Sequence, residues 1–205
     1  MLATTELFVE LLVIGLSSLY PIALLTVAVF GITPDDLKAI AGWEGAVLVA
    51  TLALAYLSGV VIDRIADSAF EKWDTRLSSE AKGVVQIPPA VAAASGDPSE
   101  AEMRLVVWGG PEAVINYFLY ARSRRRLSRA TVIVGFATAL TSSGLFVLQW
   151  LVTGAITTSL LPAKLLIASV AVGLLLALGA LYSWRKTGQM YHEHLRRAYL
   201  LQVEP

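Results

Sequence analysis

The chain has 205 residues, of which 56% are hydrophobic and 16% charged, where soluble domains carry about 25% charged residues. Its formal net charge is +0 and it has no cysteine. Disulfides, thiolate catalysis and cysteine-ligated zinc are therefore excluded, and no overall field draws the chain toward nucleic acid or an acidic substrate.

Four apolar runs are long enough to cross a hydrocarbon core about 30 Å thick, which takes roughly 20 helical residues. The first runs from Leu7 to Phe30. It has Glu6 and Glu10 where a secretory signal carries basic residues, so it reads as a retained helix. Glu10 lies about one turn inside this run on the face of Glu6 and Ser17, and a carboxylate there needs a partner or water. Arg64, Arg129 and Arg185 stand at similar depth, so Glu10 is a candidate for an ion pair, or otherwise for a proton or cation site. Pro21 lies near mid-span, where it can kink a helix.

The second run is Gly45–Ile62, and its helix is predicted to continue beyond the membrane. Ile65, Ala69, Trp73 and Leu77 recur every fourth residue with charges on the other faces, an amphipathic pattern. Pro88 and Pro89 are predicted to end it. Asp97-Pro98-Ser99-Glu100 then reads as a helix start with Asp97 as its cap, and Gly109-Gly110 as its stop. Pro111-Glu112 starts a helix predicted to run through Arg122, Arg124, Arg125, Arg126 and Arg129 into the third span, Ala130–Val152. The arginines are candidates for binding lipid headgroups or a phosphate-bearing ligand, because guanidinium forks match phosphate oxygens.

The third span carries Thr131, Thr138, Ser142, Gln149 and Thr153 at spacings of 7, 4, 7 and 4, one narrow helical face. In lipid such a face meets another helix or water. It predicts either a pore lining shared by several copies or a seam of interhelical hydrogen bonds. Gly135, Ala139 and Ser143, and in the fourth span (Leu160–Trp184) Ser169, Gly173 and Ala177, are small residues four apart. They predict close helix packing, within the bundle or between subunits. The tail carries His192-Glu193-His194, a spacing that cannot chelate a metal on a helix, and reads as solvated helix ending near Arg196 and Arg197.

Orientation follows from the basic residues, since fourteen of the sixteen Lys and Arg fall between Arg64 and Arg129 or after Trp184. Those parts are expected in the cytoplasm, with both termini, in a bacterial inner membrane. The expected fold is all-α, a polytopic membrane protein of four transmembrane helices with helical cytoplasmic extensions. It divides into a hairpin (1–66), a cytoplasmic helical segment (67–128), a second hairpin (129–184) and a cytoplasmic tail (185–205). No phosphate-binding glycine loop, nucleophile elbow or metal-ligand cluster is present, so no catalytic residue, cofactor or metal is expected. The architecture resembles small bacterial membrane effectors, some from antiviral defence, in which a few helices form a pore and a cytosolic part receives a signal. No motif here is specific to them. The expectation is an oligomeric channel or membrane-permeabilising effector in the lipid bilayer. Its cytoplasmic segment would gate it through an anionic nucleotide or oligonucleotide ligand. The alternative is a non-conducting adaptor that recruits a soluble partner through the amphipathic helices.

Overall fold

The computed structural model describes residues 2–30, 43–88, 98–153 and 162–203, with only the backbone of 2–4, 6, 152 and 153. The described residues are all-helical, 94% helix with no strand. In chain order the helices are α1 (Leu2–Phe30), α2 (Glu44–Val84), α3 (Glu100–Trp108), α4 (Glu112–Thr153) and α5 (Ala163–Val203). Four of them, α1, α2, α4 and α5, are long and apolar enough to cross a membrane, with window hydropathies of 2.1, 2.2, 1.8 and 2.4. The protein is accordingly of the multi-pass membrane type.

Contacts gather the chain into two units, residues 1–68 with 127–181 and residues 69–126 with 182–205. The first unit contains the apolar parts of α1, α2, α4 and α5. Its helices meet through glycine. A Cβ at Gly15 would overlap the Ala55 carbonyl, and one at Gly59 the Leu11 carbonyl, so α1 and α2 touch backbone to backbone. On the other pair, a Cβ at Gly135 would lie 2.7 Å from the Gly173 carbonyl oxygen, and the reverse distance is also 2.7 Å. Ala139 and Ala177 flank that crossing and are buried. Ser143 is half-buried. Leu24, Leu145 and Leu166 close a small core between α1, α4 and α5. Elsewhere the apolar side chains point outward: Leu48, Val49, Leu57, Leu140 and Leu175 are each at least 60% exposed. That is the surface a bilayer covers. Pro21 lies inside α1 without ending it.

The second unit is built on water-soluble principles. Met103 and Val107 of α3, Phe118 and Ala121 of α4, and Tyr191, Leu195 and Tyr199 of α5 form its core. Phe70 and Leu77 bring α2 onto α5. The Phe70 ring stands 4.8 Å from that of Trp184, and Gly188 leaves room for Leu77. Past Asp63 the buried α2 positions are Ala66, Phe70, Leu77 and Ala81, while Ile65 and Trp73 are nearly half exposed. The apolar face is thus turned by about one residue from the expected Ile65–Ala69–Trp73–Leu77 stripe. A strict four-residue step drifts around a helix of 3.6 residues per turn, and Phe70 lies on the inward side.

Two further expectations are corrected, and the end of α2 has a local cause. Ser99, not Asp97, caps α3: its hydroxyl accepts from the Glu102 N–H, and its own N–H donates to Glu102 Oε2 at 2.6 Å. This reciprocal capping box outranks the cap one turn-step earlier, and Asp97 lies outside the described residues. α2 ends at Val84, ahead of Pro88 and Pro89, which have no N–H to offer the Val84 and Val85 carbonyls; Arg196 Nε donates to the Val85 carbonyl instead, at 2.9 Å. The tail is not a solvated helix, since His192 and Arg196 are 4% and 5% exposed alongside the core residues Tyr191 and Leu195.

Gly15→Ala should lower the stability of the detergent-solubilised protein by about 1–3 kcal/mol, the usual cost of overpacking. Gly144→Ala, with nothing within 4 Å of its Cβ, should raise it by about 0.5–1 kcal/mol. Melting curves of the two variants beside the parent decide this.

Candidate functional site

In the first unit the hydroxyl residues of α4 turn inward. Thr131 is half-buried, and Thr138 and Ser142 are buried, the latter completely. Ser142 Oγ has no hydrogen-bond partner. Thr131 and Thr138 line a cleft of about 580 Å³ together with Ser17 and Tyr20 of α1 and Ser169 and Val172 of α5. Most of the hydroxyls are already committed. Ser17 Oγ donates to the Val13 carbonyl at 2.5 Å, and Thr131 Oγ1 to the Leu127 carbonyl at 2.8 Å. Tyr20 Oη and Ser169 Oγ share a hydrogen bond of 2.6 Å that ties α1 to α5. Gln149 is half-buried and engaged by the chain. Thr153 closes α4, and its side chain lies outside the described residues. Thr138 and Ser142 therefore face the chain's own helices, with Thr131 half-buried beside them.

The arginine cluster splits by helical phase. Arg125 reaches Asp74 Oδ1 at 2.7 Å, and Arg129 reaches Asp67 Oδ1 at 2.6 Å, both acids of α2. Arg126 is half-buried and engaged. Arg122 and Arg124 are exposed, with the Arg124 guanidinium 5.6 Å from the centre of the Tyr120 ring. Of the five candidates, these two present charge outward for an anion. Glu10 is half-buried and engaged by the chain.

The second unit also gathers polar residues that do not stand out in the sequence. Tyr191 lies between two guanidiniums, with Arg104 Cζ 5.7 Å and Arg125 Cζ 5.0 Å from its ring centre. Glu100 pairs with Arg104 and stands 3.8 Å from His192 Nδ1. His192 Nε2 is buried with no hydrogen-bond partner. Burial holds the imidazole below its usual range; Arg125 and Arg104 push the same way, against Glu100 and Asp74. The signal was present as the stripe Trp184, Gly188, Tyr191, Leu195 and Tyr199, which continues the fourth span's period past its apolar end. The Gly15–Gly59 contact had a signal too, in Ala55 and Gly59 four apart. Among the described residues no group of three or more His, Asp or Glu is placed to hold a metal ion.

A scan of known protein families finds no match to the chain, and neither a curated protein nor a solved structure matches it significantly.

Two outcomes test this arrangement. Asp74→Ala should cost about 2 kcal/mol of stability, less than the about 3–5 kcal/mol of a fully buried pair because the Asp74 side chain is 24% exposed. Arg124→Ala should change stability by less than about 0.5 kcal/mol. Chemical denaturation of both variants separates the cases. Stability should also fall on mild acidification. A histidine whose folded pKa is depressed binds its proton more readily when unfolded, so the neutral form's contribution is complete above about pH 6.5 and is lost below it. His192→Gln should flatten the melting temperature between about pH 7.5 and 5.5, a range above carboxylate titration.

Proposed function

We propose that the protein is an oligomeric membrane effector, a channel or permeabilising protein of the bacterial inner membrane with both termini in the cytoplasm. Its charged helical unit sets whether the spans conduct. The observation that carries this reading is helix continuity. Three of the four candidate spans belong to helices of 41, 42 and 41 residues that supply both units without a break. A ligand that binds one arrangement of the charged unit better than another shifts the equilibrium by that difference in affinity. The exposed Arg122 and Arg124 suit an anionic ligand such as a nucleotide or oligonucleotide.

On this reading the structure corresponds to a closed state. Thr131, Thr138 and Ser142 are held inside the unit, and the Tyr20–Ser169 bond keeps α1 on α5. Opening parts those helices and wets the α4 hydroxyls. The adaptor reading has less support, because its docking face is partly used by the fold: Leu77 is buried and Trp73 packs with Phe70 and Trp184.

Ion flux into liposomes containing the purified protein tests the proposal, with the oligomeric mass recorded in parallel. Tyr20→Phe removes the α1–α5 bond and should raise basal flux. Thr138→Val combined with Ser142→Ala should abolish flux while assembly and melting temperature hold. A monomer that stays tight in the parent and in Tyr20→Phe, with and without added nucleotides, would overturn the reading.

A further inference from the structure

The cleft of the first unit has a chemical character that conduction does not require. Most of its polar lining residues are engaged: Ser17 and Thr131 donate to carbonyls of their own helices, and one hydrogen bond joins the Tyr20 and Ser169 hydroxyls, with Thr138 the remaining hydroxyl of the wall. An ion or a headgroup entering the cleft would lose its hydration and find few groups in return. What remains of the wall is hydrocarbon, chiefly Val134, Leu165, Ala168, Val172 and Leu176. Gly135 and Gly173, whose backbones meet at the helix crossing, form part of the cleft wall. It is also open sideways, since Val172 is 53% exposed and belongs to the apolar run of α5. At about 580 Å³ it lies within the roughly 300–1,000 Å³ of small-molecule sites.

We propose that this cleft is a binding site for one hydrocarbon chain of a bilayer lipid, entering laterally between α1, α4 and α5. The medium around the spans supplies the occupant, and the cleft offers it apolar contact without asking for a polar partner. Such a chain packs over the Tyr20–Ser169 bond. The inference does not depend on conduction, and it is read by mass instead of by flux.

The protein is purified from membranes, washed in detergent and weighed intact by native mass spectrometry. The parent should retain one phospholipid per chain. Ala168→Trp and Val172→Trp, which fill the cleft, should lose it, while Leu175→Trp, at a position 70% exposed, should retain it. Melting curves check that each variant is folded. Should the cleft variants not fold, a photoreactive residue at Val172 answers the same question, because its crosslink must carry the mass of a phospholipid. The proposal is overturned if the parent keeps no lipid, if all variants keep it equally, or if the retained mass or crosslink is another apolar molecule. It is equally overturned if the cleft variants lose a dimer instead of a lipid.

Discussion

Where α4 crosses α5, two peptide backbones lie against one another, because Gly135 and Gly173 place no atom between them. In hydrocarbon this kind of contact matters more than apolar burial, since lipid tails are as good a partner for leucine as another leucine is. The many exposed leucines and valines of the spans are then at no disadvantage, and the bundle is held where small residues let helices approach. Gly15 and Gly59 do the same for α1 and α2. The cleft lies beside the α4–α5 crossing, with Gly135 and Gly173 in its wall.

The second unit lives by the opposite rule. Here Met103, Val107, Phe118 and Leu195 leave water together, which is the usual driving force for folding. Charged groups are admitted only where the core can answer them. Arg125 lies on the Tyr191 ring and reaches Asp74, and Arg196 donates to the Val85 carbonyl just past the end of α2. His192 is the least well answered of these groups, with Nε2 unpartnered and burial disfavouring its charged form.

The four spans were legible because twenty apolar residues in a row have few other uses. The small residues around Gly135 and Gly173 were legible as places of close packing, but their spacing left open whether the partner was a helix of the same bundle or of another subunit. The equivalent pair on α1 and α2 escaped because Gly15 is a lone glycine on its helix, and its partner's spacing means little until the two are known to meet. The face of α2 was misjudged by one position, because a strict count of four follows Ile65 and Trp73 while the true helical period favours Phe70. The charged tail hid its core stripe for a compositional reason: His192, Glu193, Arg196 and Arg197 surround Tyr191, Leu195 and Tyr199. What α4's hydroxyls face depends on which helices flank it, and one helix's spacing carries no information on that.

The ion pairs of α4 imply an order of events. When a nascent chain is threaded into a membrane, lysines and arginines decide which side stays behind, and acidic residues carry little weight in that decision. Arg125 and Arg129 are at that stage simply two charges in a dense run. After the helices assemble they are held by Asp74 and Asp67. On the orientation proposed above, the same two side chains would act first in threading and then in packing. The acids on α2 answer only to the second, so their loss should leave the threading of the chain as it was and be felt solely in the folded bundle.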